Sequence, residues 1–196
     1  ILQDDTINGF NVTIPYKEEI LKFLDEIDEA AKTIGAVNTI KKINNKYIGF
    51  NTDFIGFEKS LIGLIENKKP ENALILGSGG ASKAVKYVLN KLNINYSTVS
   101  RKSGKSEFIY ENLNNEIINS FKLIINCSPV GTYPNINDSP NIPYEYLTED
   151  HILYDLIYNP AETLFLKKGR TSGCKIKNGL EMLEVQANEA WRIWNS

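Results

Sequence analysis

The sequence is poor in the residues on which several classes of protein depend. Its 196 residues hold only two cysteines and one histidine. Cys127 and Cys174 lie in unrelated contexts and no Cys-x-x-Cys occurs, so there is no basis for a structural zinc site, and no metal is expected. No apolar run approaches the roughly 20 residues that a helix needs to cross a bilayer. The opening residues show no signal-peptide pattern. Charge of one sign is lacking too. There are 22 Lys and Arg against 24 Asp and Glu, a formal net charge of −2, and no basic patch suited to nucleic acid. Internal repeats and low-complexity tracts are absent. What remains is a chain with 42% hydrophobic residues. That is enough for one good core or two small ones, in a setting expected to be reducing and cytoplasmic.

The apolar residues that are present have a clear pattern. "ALILG" (73–77) is a short continuous apolar run of the kind found in buried parallel strands. "YSTVS" (96–100), "KLIIN" (122–126) and "HILYDL" (151–156) are further strand candidates. After the first of these strands, Ala81, Ala84, Val85, Val88 and Leu92 mark one face of a helix. The alternation predicts an α/β fold built on a parallel sheet with crossover helices. Before residue 70 the texture differs. Helical pattern covers 15–32, short strands lie near "AVNTIKK" and "KYIGFN", and a helix spans 53–66. "ENKKPEN" (66–72) reads as a boundary, and a last helix covers 179–194. Two domains are expected, 1–70 and 71–178, with the last helix (179–196) returning to the first.

Within "FNVTIPYKEEI" (10–20), Thr13 is a capping residue, Pro15 suits a first helical turn, and Ile20, Phe23 and Leu24 follow at helical spacing. A helix beginning near Ile14 is therefore expected. It would place the Lys17 ammonium at the positive end of the peptide dipole, where Glu18 and Glu19 are favoured and a cation is not. That would disfavour the charged form of Lys17 and favour proton donation.

"LILGSGGASKAV" sets Gly77, Gly79 and Gly80 between a strand and a helix. Glycines in that context allow a tight turn and a close approach to a pyrophosphate, which rests on the helix N-terminus. The alternative is a plain Gly-rich turn. The next strand ends in "SRKSGK" (100–105). An NAD-binder would place an acid there for the ribose 2′-hydroxyl. Here Ser100, Arg101 and Lys102 stand in its place, with Lys105 nearby. A guanidinium pairs bidentately with a 2′-phosphate, so the reading is NADP, with an exposed basic turn as the alternative.

Eight segments, in order, resemble the shikimate dehydrogenase family: "NVTIPYK", "GAVNT", "NTD", "GSGGASKAV", "SRKSGK", "INCSPVGT", "YDLIYNP" and "NGLEMLEVQANEAW". The resemblance covers nearly the whole chain. It implies a Rossmann-type NADP-binding domain, an α/β substrate domain, and reversible hydride transfer between NADP(H) and shikimate or 3-dehydroshikimate. It implies that Lys17 and Asp53 are the catalytic pair. Asn11, Thr13, Lys17, Asn38, Asp53, Tyr158 and Gln186 would hold the substrate. Gly77, Ser78, Gly79, Gly80, Ala81, Ser100, Arg101, Lys102 and Lys105 would hold the nucleotide. Asn126, Ser128, Val130, Ile157 and Gly179 would line its nicotinamide side. The expected assembly is a monomer or homodimer, without nucleic acid or membrane.

The chain departs from the family at Ser100, Lys102 and Thr132, where Asn, Thr and Met are usual. The first two departures leave Arg101 as the main 2′-phosphate anchor. The family's opening segment, with a Ser-x-Ser pair for the substrate carboxylate, has no counterpart. The substrate domain is therefore expected to be incomplete at its N-terminal side.

Plainer readings stand beside these. Lys17 is a solvated lysine, Asp53, Asn51 or Thr52 a helix cap, Gln186 a polar residue on a helix surface. Leu183, Trp191 and Trp194 suit a packed face of the last helix, Cys127 a small apolar residue, and His151 a surface position. Rival functions are a quinate/shikimate enzyme using NAD, a folate-type dehydrogenase, and a nucleotide-binding fragment without catalysis.

Overall fold

The computed structural model describes residues 7–66, 68–101, 104 and 106–196. Two sheets organise the chain. The first is built early. Strand β1 (Gly9–Asn11) is followed by a turn at 14–18 and a short 3-10 helix (Glu19–Phe23), then β2 (Glu26–Ile27), α1 (Glu29–Ile34), β3 (Thr39–Ile43) and β4 (Lys46–Phe50). The order is β1-β3-β4-β2, with β3 antiparallel to both β1 and β4 and β2 parallel to β4. Asn44 and Asn45, at φ 48° and 65°, form the two-residue turn of the β3–β4 hairpin. Asparagine tolerates that left-handed backbone, and the turn matches the strand twist.

Helix α2 (Asp53–Ile65) leads into the second sheet. That sheet comprises β5 (Asn72–Leu76), α3 (Gly80–Lys91), β6 (Asn95–Ser100), β7 (Phe108–Ile109), α4 (Asn115–Ser120), β8 (Leu123–Asn126), β9 (Ile152–Asp155), α5 (Leu164–Thr171) and β10 (Lys175–Lys177). Helix α6 (Leu180–Asn195) ends the chain. All six strands are parallel, in the order β10-β9-β8-β5-β6-β7. This is the doubly wound arrangement, and its strand order reverses between β5 and β8. Ligands of such sheets bind in the crevice beyond the carboxyl ends of those two strands.

The sheet is apolar on both faces because both are covered. Phe57, Leu61, Leu64 and Ile65 of α2 share one core with Ile75, Val85, Val88, Leu89, Ile125 and Tyr154. Leu74, Leu76, Ile118, Ile124, Leu153, Phe165 and Leu166 make the core of the other face. The Tyr154 hydroxyl donates to Ser60 Oγ at 2.9 Å and pins α2 to the sheet. Helix α6 returns to the first sheet, where the Trp194 indole donates to the Ile40 carbonyl at 3.0 Å. Among the described residues no helix is long and apolar enough to cross a membrane.

Three expectations fail. The helix near Ile14 is a turn: Tyr16 N–H bonds the Thr13 carbonyl, and the Lys17 carbonyl accepts from Val37 N–H at 2.8 Å. A helix would have kept that carbonyl for its own next turn, and a strand-entry contact takes it instead. The helical pattern over 15–32 accordingly breaks into the 3-10 helix, β2 and α1. His151 is fully buried. Its Nδ1 accepts from Thr148 N–H at 3.0 Å, which leaves Nε2–H to donate to the Ile118 carbonyl at 3.2 Å. Burial lowers its pKa. Trp191 is 66% exposed. The packed stripe of α6 runs through Met182, Ala190 and Ile193, and Trp191 lies about 100° round the helix from Ala190.

Candidate active site

The turn at 14–18 carries Lys17, and the first turn of α2 carries Asp53. Their side chains meet, with Lys17 Nζ donating to Asp53 Oδ2 at 2.8 Å. Both groups are largely shielded, at 16% and 11% side-chain exposure. Screening by water is therefore weaker than for a surface pair. The expected dipole effect on Lys17 has no helix to produce it; a carboxylate faces the ammonium instead.

Asp53 does not cap α2. Asn51 Oδ1 accepts from Phe54 N–H at 3.3 Å and takes part of that role. The second oxygen of Asp53 accepts from Asn38 Nδ2 at 2.9 Å. Asn38 is the centre of the cluster. Its Oδ1 accepts from Thr52 N–H at 2.7 Å, and its Nδ2 reaches Thr52 Oγ1 at 3.0 Å and Gln186 Oε1 at 3.3 Å. Gln186 Oε1 also accepts from Thr52 Oγ1 at 3.3 Å. Asn11 Nδ2 donates to the Asn38 carbonyl at 3.0 Å and to Thr39 Oγ1 at 3.1 Å. The structure thus joins Lys17, Asp53, Asn38, Asn11 and Gln186 in one hydrogen-bonded set. Thr13 and Tyr158 are exposed and stand outside its hydrogen bonds. A shielded ammonium held by a carboxylate, beside amides and a hydroxyl, is equipped to move a proton to or from a hydroxylated ligand.

The second part lies at the carboxyl ends of β5, β8 and β9. Gly77 adopts φ +104°, open to glycine, and a Cβ there would stand 3.3 Å from Ser128. Gly79 caps α3 without a side chain, and a Cβ on it would meet nothing within 4 Å. The open surroundings of Gly79 at a helix start fit a pyrophosphate lying against Ser78, Gly79, Gly80 and Ala81. Ser100 is buried and accepts from Ser106 Oγ at 2.8 Å. Arg101 is exposed beside it. Lys102 and Lys105 lie outside the described residues. The next acid along the chain, Glu107, is engaged by Thr98, whose backbone N–H donates to its carboxylate at 2.7 Å. The Thr98 hydroxyl bonds the same oxygen and holds the Glu107 carboxyl below its usual range.

Sequence reasoning overlooked Asp155. It is fully buried at the end of β9. Thr163 Oγ1 donates to it at 2.6 Å, Asn126 Nδ2 at 3.0 Å and Ile157 N–H at 3.1 Å. Asn126 in turn accepts from Ser128 N–H and Oγ, at 3.0 and 2.7 Å. Asp155 therefore sets the loop that carries Ser128 and Val130. Ile157 and Gly179 join the same wall, with Gly179 N–H on the Ile157 carbonyl at 3.0 Å. Its sequence signal was a lone acid inside an apolar strand, where an unpartnered carboxylate would be costly. Cys127 is a free thiol at this end of β8, and burial pushes its pKa up. Among the described residues no cluster is suited to a metal ion.

Burial raises the Asp155 pKa from 3.8 to about 6. A raised carboxyl stabilises the fold fully below its unfolded pKa and loses that contribution as pH rises through the folded value. Between about pH 4 and 6 the wild type should therefore lose about 3 kcal/mol relative to Asp155→Asn. Denaturant unfolding of the two proteins across that range checks this. Parallel pH profiles would remove Asp155 as the titrating group.

A family model described as "Shikimate dehydrogenase substrate binding domain" matches residues 1–40. The NADP(+) shikimate dehydrogenase of Methanococcus aeolicus is 44% identical over 200 residues, covering 95% of this chain and 72% of that protein. The crystal structure of shikimate dehydrogenase from Aquifex aeolicus is 40% identical with a TM-score of 0.82, over 97% of this chain and 73% of that one. Shikimate 5-dehydrogenase from Thermus thermophilus, solved with NADP(H) and shikimate, gives a TM-score of 0.86 at 32% identity, covering 97% of this chain and 74% of that chain.

Proposed function

The chain belongs to the shikimate dehydrogenase family, and from that premise we propose that its Lys17–Asp53 centre carries out the reversible NADPH-dependent reduction of 3-dehydroshikimate to shikimate. It is an NADP-dependent oxidoreductase acting on a CH–OH group. NADPH, when bound, supplies the hydride for the carbonyl carbon. The chain's own residues handle the proton. Lys17 delivers it to the oxygen of the reduced carbonyl and takes it back in the reverse direction. Asp53 holds and orients the ammonium. Asn11, Asn38 and Gln186 bind ring hydroxyls, and Thr13 and Tyr158 complete that shell. The observation that carries the proposal is the 2.8 Å contact between Lys17 and Asp53 inside a cluster that also holds Asn38 and Gln186.

Gly77 to Ala81 receive the pyrophosphate, Ser100 and Arg101 with Lys102 and Lys105 the adenosine 2′-phosphate, and Asn126, Ser128, Val130, Ile157 and Gly179 the nicotinamide. We divide the chain into a substrate part, 1–70 with 179–196, and a nucleotide part, 71–178. Helix α2 forms the seam, since its apolar residues enter the core of the parallel sheet. A reducing, cytoplasmic setting accords with two cysteines that are both free, and we propose a monomer or homodimer there.

The test is NADP-dependent oxidation of shikimate by the protein, followed by the appearance of NADPH. Turnover is expected, and its absence with saturating ligands would sink the proposal. The same assay addresses Arg101. A charge-assisted hydrogen bond contributes about 1.5–3 kcal/mol. Arg101→Ala should therefore raise the KM for NADP by about ten- to a hundredfold and leave that for NAD almost unchanged. Equal weakening of both would mean that Arg101 positions the adenine.

A further inference from the structure

Glu18, the residue after Lys17, reaches across to the nucleotide part. Its Oε2 lies 2.6 Å from Lys83 Nζ, in the first turn of α3. Its other oxygen, Oε1, is 3.7 Å from where a Cβ on Gly80 would stand, beside the uncapped start of the same helix. The turn that carries Lys17 is therefore held from two sides. On one side the Lys17 carbonyl accepts from Val37 N–H. On the other the Glu18 carboxylate is clamped by Lys83.

The pair is 37% and 50% exposed, and an ion pair so open to water contributes little to stability. Its place matters more. A carboxylate beside Gly80 stands where the glycine loop offers N–H groups to phosphate. Lys83 is the cation paired with that carboxylate in the first turn of the same helix.

We propose that Glu18 is a positioning residue for Lys17, tethering its turn to the phosphate-binding helix through Lys83, and that the cofactor pyrophosphate competes with Glu18 for that lysine. The inference rests on the proposed roles of Lys17 and the glycine loop. The two halves of the pair then have opposite effects on the cofactor. Without Glu18, Lys83 is free to face phosphate and a like charge is gone. Without Lys83, the carboxylate opposes the phosphate unneutralised. For turnover the signs agree, because either loss releases the Lys17 turn.

Calorimetric NADP titration and steady-state kinetics of Glu18→Gln, Lys83→Gln and the exchanged pair Glu18→Lys/Lys83→Glu test this. At low salt, Glu18→Gln should tighten NADP by about three- to tenfold and lower kcat by a similar factor. Lys83→Gln should weaken NADP by about as much and also lower kcat. The exchanged pair should recover kcat to within about twofold of wild type, and all single-variant effects should shrink near 1 M salt, where the screening length is about 3 Å. A structural role alone would lower the melting temperature without opposite signs in NADP affinity. Unchanged NADP affinity and kcat in Glu18→Gln, or no recovery in the exchanged pair, would overturn the proposal. A wild type that binds no NADP and oxidises no shikimate would instead fail the functional assignment.

Discussion

Lys17→Ala is expected to lower kcat by about two to four orders of magnitude, the usual contribution of a positioned proton donor, and to leave NADP affinity nearly unchanged. The reason is geometric. The ammonium is shielded, fixed by Asp53 at 2.8 Å, and bonded to no part of the glycine loop. Asp53→Asn keeps the hydrogen bond to Asn38 within reach but removes the charge that orients Lys17, so it acts on the same step. The double variant should be hardly worse than Lys17→Ala, because groups that act as a unit are far from additive. Steady-state kinetics of the three variants, with calorimetric NADP titration, decide the matter. Near-normal turnover of Lys17→Ala would remove it from the mechanism, and additive losses would mean that the two side chains work separately.

The second large effect is expected from packing rather than charge. Gly56 lies in α2, three residues after Asp53, where α6 crosses it. A Cβ at Gly56 would stand 2.4 Å from the Met182 carbonyl oxygen and 3.2 Å from Gln186 Cβ. The first of these is backbone and cannot rotate away, so α2 and α6 must separate. Overpacking of this kind costs about 1–3 kcal/mol. Separation also withdraws the Gln186 amide from Asn38 and Thr52, each only 3.3 Å away. A displacement of that order misplaces the catalytic cluster, and Gly56→Ala should lower kcat/KM about a hundredfold along with the melting temperature. Gly63→Ala is the internal control. It lies in the same helix with nothing within 4 Å of a Cβ, and there the better helix propensity of alanine should add up to about 1 kcal/mol. If Gly56→Ala behaves like Gly63→Ala, the close crossing of α2 and α6 does not position the site.

Much of the fold is legible in the sequence. The apolar run at 73–77 predicts a strand and Asn72–Leu76 forms one; the helix expected at 53–66 covers Asp53–Ile65, and the last one covers Leu180–Asn195. These segments have continuous apolar runs or clean periodicity, with glycines or capping residues at their ends. The two-residue strand β2 and the short helix α4 lacked that signal, since two to six residues cannot display a period. The turn at 14–18 misled for a different reason. Its local composition suits a helix, but the carbonyl that a helix needs is taken by Val37, twenty positions away.

Residue types and their spacing set the chemistry on offer: a glycine loop between strand and helix, cations where a ribose-binding acid would stand, and a lysine and an aspartate in segments resembling a known pair. Those are short-range features, carried by neighbouring residues and their spacing. Long-range packing is what sets Asp53 on Lys17 rather than at the cap of α2, and Gln186 on Asn38. It also leaves Asp155 bracing the loop after β8, His151 buried in its own hydrogen bonds, and Glu18 bridging to Lys83. Those contacts join residues 36 and 148 positions apart in the cases of Lys17–Asp53 and Asn38–Gln186. No periodicity encodes such distances; they arise when apolar burial brings α2 and α6 together and leaves the polar groups between them to satisfy one another.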